Sequence, residues 1–161
     1  MSEVRDRGEV DAPPEAAPRR ARPVVLATMA APVDPAAEEM AIASALEAGA
    51  PLVIANLLDL PPYPATLALH GPGVATLPHE EALDEVRATA GRAAALGIRT
   101  ELLRVSTRRP VRALLEIVAE RDAGLLVFGP DVARTGRRRF RAAARQVRRR
   151  APCLVWVAPD G

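Results

Sequence analysis

The 161-residue chain is the size of one ordinary domain, and its 49% hydrophobic but 2% aromatic composition requires a core of Ala, Val, Leu and Ile rather than rings. No apolar run reaches the ~18–20 residues that span a bilayer, the N-terminus carries no apolar signal region, and the single Cys153 excludes an intramolecular disulfide and a multi-cysteine metal site. These features predict a cytoplasmic protein without a membrane partner. The net charge of +2 is unevenly spread: eight Arg face 15 acids up to Leu103, and 14 Arg face five acids from Arg104 onward, with no Lys anywhere.

Residues 1–21 alternate Arg and acids with Pro and Ala and show no apolar period, so they read as a disordered N-terminal arm. Val24-Val25-Leu26-Ala27 is a continuous apolar run, the pattern of a strand buried on both faces of a parallel sheet. Asp34-Pro35 then predicts a helix N-terminus, cap followed by Pro. The helix Ala36 to Glu47 is expected to turn Met40, Ala43 and Leu46 inward and to stop at Gly49.

Leu52 to Leu57 is a second strand, and the Pro- and Gly-rich stretch Asp59 to Pro78 is a long loop. A helix from about His79 to Leu96 places Leu83, Val86, Ala90 and Ala94 at core spacing before Gly97. Ile98 to Val105 is a third strand. Pro110 opens a helix with Val111, Leu114, Leu115 and Val118 inward, although Arg108 and Arg109 stand where a capping Asp or Ser is usual. Leu125 to Phe128 is a fourth strand ending at Gly129. Arg137 to Arg150 is a helix stopped by Pro152, and Leu154-Val155-Trp156-Val157 is the last strand, followed by a tail of residues 159–161.

The alternation of strand and helix predicts a single three-layer α/β/α domain over residues 22–158, with a five-stranded parallel sheet and right-handed crossovers. Ligands of such sheets sit beyond the carboxyl ends of the strands, near the reversal of strand order. That places attention on the loops after Ala27 and after Phe128.

At these loops the sequence resembles the universal stress protein family. Val24 to Thr28 is similar to the family's first strand, which normally continues into Asp-Gly-Ser. Pro110 to Gly129 resembles its Pro, amphipathic helix, aliphatic strand and Gly block. Arg134-Thr135-Gly136 and Ala151-Pro152-Cys153 with Leu154 to Val157 resemble its closing helix and strand. The resemblance implies a Rossmann-like fold of the adenine-nucleotide alpha-hydrolase type, with strand order 3-2-1-4-5. It also implies a non-enzymatic stress-response or regulatory role and a homodimer formed through the last strand, an apolar edge of the kind that pairs with another chain.

Many family members bind ATP through an Asp after the first strand and a Gly-x2-Gly-x9-Gly-Ser/Thr signature after the fourth. Carried onto this sequence, the pocket comprises Ala27, Thr28, Met29, Gly129, Val132, Thr135, Gly136, Ala142 and Ala143. Met29 takes the Asp position, Val132 the second Gly, and Ala142-Ala143 the final pair (or Arg141-Ala142 in a shorter register). Pro130 also removes a backbone donor beside Gly129. Each hydrogen bond lost to a charged group is worth about 1.5–3 kcal/mol. The expectation is therefore no cofactor and no ATP in the family's usual mode. An adenine nucleotide in an altered phosphate loop is the alternative.

Arg134, Arg138, Arg141, Arg145 and Arg148 recur at helical spacing opposite Phe140, Ala144, Val147 and Ala151. They are a solvated face or, as a further alternative, contacts for a polyanion or an acidic protein partner. His70 and His79 lack acids or cysteines at ligand spacing, so no metal site is expected. Cys153 reads as a packing residue rather than a nucleophile. Asp34 reads as a helix cap rather than a replacement for the missing Asp. No Ser/His/Asp or Cys/His constellation is apparent.

Overall fold

The computed structural model describes residues 21–60 and 77–158; residues 1–20, 61–76 (with His70) and 159–161, where most of the expected arm, long loop and tail fall, lie outside them. The elements run β1 (Val24–Met29), α1 (Pro35–Ala48), β2 (Leu52–Asp59), α2 (Leu77–Ala95), β3 (Thr100–Thr107), α3 (Pro110–Glu120), β4 (Leu125–Phe128), α4 (Val132–Thr135), α5 (Arg137–Arg150) and β5 (Leu154–Val157). All strand pairs are parallel and the sheet order is β3-β2-β1-β4-β5. β1 lies at the centre with every residue buried, which is why it reads as an unbroken apolar run.

Helices α3 and α5 cover one face, where Leu114, Val118, Phe140, Ala143, Ala144 and Val147 meet Val25, Ala27, Met29, Leu126 and Phe128. Helices α1 and α2 cover the other, where Ala37, Ala41, Ala45, Val86 and Ala93 meet Val24, Leu26, Ile54 and Val127. Phe128 and Phe140 stack with centroids 5.9 Å apart, an interaction of about 0.5–1.5 kcal/mol beyond the area it buries.

On α1 the inward face differs from the expected one. Ala37, Ala41 and Ala45 face the sheet, Met40 packs at the margin, and Ala43 and Leu46 are exposed. The helix approaches the sheet closely, so its smallest side chains take the contact line. On α2 the buried set is Ala82, Val86, Thr89 and Ala93, and Ala94 is exposed. Thr89 is buried because its hydroxyl donates to Glu38 Oε2 at 2.7 Å.

Gly49 (φ 59) and Gly97 (φ 83) close α1 and α2 with the same paired bonds, Ala50 N–H to Ala45 O and Ile98 N–H to Ala93 O among them. Ile98 is thus spent in the helix terminus, and β3 begins two residues later than expected. Asp34 caps α1 as predicted, accepting from Ala36 N at 2.9 Å and Ala37 N at 3.4 Å. Arg109 offers α3 no side-chain cap.

Candidate functional site

The reversal of strand order lies between β1 and β4, whose following loops meet above the carboxyl end of the sheet. Ala30 takes a left-handed φ of 48 and turns the chain out of β1. Val33 and Pro130 then form an isolated antiparallel bridge between the two loops. Asp34 N–H donates to Gly129 O at 2.8 Å, and Asp131 N–H donates to Pro32 O at 2.9 Å. The loops are zipped to one another, and the backbone groups of this crevice are largely occupied.

Each pocket residue named from sequence has a definite place here. Ala27 and Thr28 are wholly buried, and the Thr28 hydroxyl donates to Ala31 O at 2.6 Å with a longer contact to Pro32 O at 3.2 Å. Met29 is buried among Leu57, Phe128 and Phe140, so the Asp position faces hydrocarbon. Gly129 donates its N–H to Ala27 O, as a strand residue does. A β-carbon on Gly129 would lie 2.0 Å from that of Ala37, so glycine is required for close packing of α1.

Val132 opens the one-turn α4, which Asp131 caps through a 2.8 Å bond from Ala133 N–H. Gly136 (φ 88) swings the chain into α5. The first α5 bond runs from Phe140 N–H to Gly136 O, which leaves Ala142 and Ala143 inside the helix with their amides in its ladder. The sequence spacing therefore brings Ala27 to Met29 together with Gly129, Val132, Thr135 and Gly136, and sets the alanine pair apart on a helix body.

A concavity of 430 Å³ remains at the mouth, lined by Asp34, Asp131, Val132, Ala133, Gly136 and Arg137. Two carboxylates and one guanidinium make it a poor cradle for a triphosphate. Arg139 reaches over to the end of β2 and binds Asp59 at 2.7 Å. Thr135 Oγ1 and Asn56 Oδ1 are buried without a hydrogen-bond partner among the described residues.

The predicted arginine strip divides. Arg134 turns toward Glu85 of α2, 3.9 Å away, and Arg138 is exposed near the start of α5. Arg141, Arg145, Arg148 and Arg149 line a 380 Å³ trough between α5 and Val157 of β5, floored by Phe140 and Ala144. Arg149 was not in the expected strip, although its step of four from Arg145 is the signal that would have found it. Leu154 is 75% exposed at the start of β5, which forms an outer edge of the sheet.

Two further features had no sequence signal, because their partners are far apart in the chain. One is the Arg139–Asp59 pair. The other is a 640 Å³ groove between α1 and α2, where Glu38 accepts from Arg92 Nε at 2.5 Å and Arg92 Nη2 at 2.7 Å. The Arg92 guanidinium, aided by Thr89, holds the Glu38 carboxyl below its ordinary value against the opposing effect of burial. Burial pushes the Cys153 thiol up, away from a reactive thiolate. Among the described residues no group of His, Cys, Asp and Glu is arranged to hold a metal, and no helix is long and apolar enough to cross a membrane.

A doubly wound parallel sheet whose strand order reverses between β1 and β4 defines a protein of the Rossmann-like α/β class. The sequence model of the universal stress protein family matches residues 21–159, and the chain belongs to that family. Similar solved structures include UspA from Lactobacillus plantarum, 19% identical with a TM-score of 0.61, where the match covers 86% of this chain and 97% of that one. A universal stress protein in complex with cAMP is 24% identical with a TM-score of 0.53, covering 86% and 97%. One from Archaeoglobus fulgidus in complex with dAMP is 20% identical with a TM-score of 0.52, covering 84% and 95%. Among curated proteins, none matches.

Proposed function

We propose that this chain is a non-enzymatic, cytoplasmic stress-response protein that does not hold ATP in its family's usual mode and acts through a partner or another ligand. The observation that carries this reading is the closed loop pair: Val33 bridges Pro130 where a phosphate chain would need open backbone donors. Asp34 and Asp131 are committed to helix caps, Asp59 to Arg139, and the Thr28 hydroxyl to its own loop. No polar group among these is left poised for catalysis. The folded unit is residues 22–158, with residues 1–21 as an arm and 159–161 as a tail.

The complexes of relatives with cAMP and dAMP make adenine nucleotide the ligand to test. The Thr135 hydroxyl, unpartnered among the described residues, and Arg137 at the mouth favour that second reading. Calorimetric titration with ATP and cAMP decides between them, together with the absorbance ratio at 260 and 280 nm of freshly purified protein. One Trp and one Tyr absorb weakly, so bound adenine would dominate the spectrum. No heat and a protein-like ratio are expected; saturable heat or an adenine spectrum overturns the reading.

The apolar edge β5 supports a homodimer built by pairing this strand with its counterpart. Sedimentation velocity tests it, with a concentration-independent monomer as the contrary result.

A further inference from the structure

Helix α5 carries eight arginines and no acid in 14 residues. Arg139 pairs with Asp59, and the other seven make no ion pair among the described residues. Elsewhere the protein pairs its arginines readily: Arg22 with Asp122, Arg87 with Asp84, Arg92 with Glu38, Arg112 with Glu116 and Arg121 with Glu101. Arg99, Arg104, Arg108 and Arg109 also lack an ion pair among the described residues, but α5 holds the largest group of unmatched arginines on one element.

Four of the unmatched arginines, Arg141, Arg145, Arg148 and Arg149, line the trough beside β5. They lie on successive helical turns, over about 12 Å at 1.5 Å per residue. Like charges at these spacings repel, and an anion laid along them relieves the repulsion. Phe140, Ala144 and Val157 form the trough's apolar floor, and the arginines supply its charge.

No aromatic face is offered for a base: Phe140 is 2% exposed, and Trp156 packs toward the opposite side of the sheet. The arginine row, about 12 Å long, spans far less than the ~34 Å turn of a duplex.

We propose that the α5–β5 trough is a binding site for a linear chain of phosphates without bases, a polyphosphate, held by Arg141, Arg145, Arg148 and Arg149. The site is separate from the crevice at the sheet reversal, so it stands whether or not a nucleotide binds there.

The test is fluorescence anisotropy with end-labelled linear polyphosphate on the full chain. Replacing the four arginines by Gln (Arg141→Gln, Arg145→Gln, Arg148→Gln, Arg149→Gln) is expected to weaken binding at least about tenfold. A control removing equal charge elsewhere (Arg87→Gln, Arg104→Gln, Arg108→Gln, Arg112→Gln) is expected to weaken it less than about threefold. Wild-type affinity should fall with salt at a log–log slope of roughly three to four, as four contacts release counterions.

Circular dichroism verifies that each variant is folded, and the double variant Arg145→Gln, Arg149→Gln gives an intermediate loss if the quadruple one is not. Absence of saturable binding, or equal weakening in both quadruple variants, overturns the proposal. So does tighter binding of a labelled duplex DNA through the same arginines, which would assign the trough to nucleic acid.

Discussion

Gly129 and Ala37 meet where no β-carbon fits between them: one placed on Gly129 would lie 2.0 Å from the Ala37 β-carbon and 3.5 Å from that of Ala158. The contact joins the end of β4 to the first turn of α1 and sets how closely that helix rides on the sheet. Gly129→Ala should destabilise the fold by about 2–4 kcal/mol, because the obstacle is the root of a helical residue and cannot swing aside. In an Ala37→Gly background the same change should cost at least about 1 kcal/mol less. Urea denaturation of the four proteins measures the coupling, and strict additivity would contradict it.

Restoring the family's acid is expected to fail. Met29 is 4% exposed in an apolar cluster, so Met29→Asp buries a carboxyl without a partner and should cost about 3 kcal/mol or more. Calorimetry with ATP should remain silent for this variant. A gain of ATP binding with unchanged stability would mean that the crevice opens more readily than its loop bonds imply.

The Glu38–Arg92 pair gives stability a particular acid dependence. The folded Glu38 carboxyl lies below its ordinary value, so its contribution is complete above the unfolded value of about 4.3. That contribution is lost as pH falls further, through the folded value. Arg92 is 55% exposed, so solvent screens the pair and Glu38→Gln should cost about 1–2 kcal/mol at neutral pH. The difference between wild type and Glu38→Gln should shrink below pH 4 and vanish at the most acidic values. Thermal melts across that range provide the measurement, and a pH-independent difference would refute the assignment.

The edge strand admits a selective test. Ala158 N–H bonds Phe128 O, so by alternation the N–H groups of Val155 and Val157 point to the open side of β5. Val155→Pro removes an outward donor and leaves the inner ladder intact. It should convert the proposed dimer to monomer in sedimentation velocity, with far-ultraviolet dichroism retained. Persistence of the dimer would place the interface elsewhere.

The strands and the sheet type were legible in the sequence because a parallel sheet buried on both faces writes itself as short aliphatic runs, β1 most clearly. Helix faces were less legible. On α1 nearly every second residue is Ala, and hydrophobic periodicity does not say which alanines lie against a close-riding sheet; the approach of Ala37 to Gly129 decides it. In the candidate site, the departures at Met29 and Val132 were visible one residue at a time. The closure of the crevice was not, because it depends on Val33 meeting Pro130 and on Asp34 N–H reaching Gly129 O, contacts between distant parts of the chain. Gly129 shows a further gap: the close packing of Ala37 against it, which requires a glycine, leaves no mark in the sequence.

The bridge between Val33 and Pro130 also bears on the order in which the molecule assembles. Its two residues are 97 positions apart, and β4 must dock on β1 before they can meet. Closing so long a loop is entropically costly and is repaid only once the sheet centre exists. The bridge, the Asp34 N–H bond to Gly129 and the Gly129–Ala37 contact are therefore expected to form on the late side of the folding barrier. Damage at this corner should leave the refolding rate nearly unchanged and appear as faster unfolding, so the zipped loops act as a latch on the lifetime of the native state.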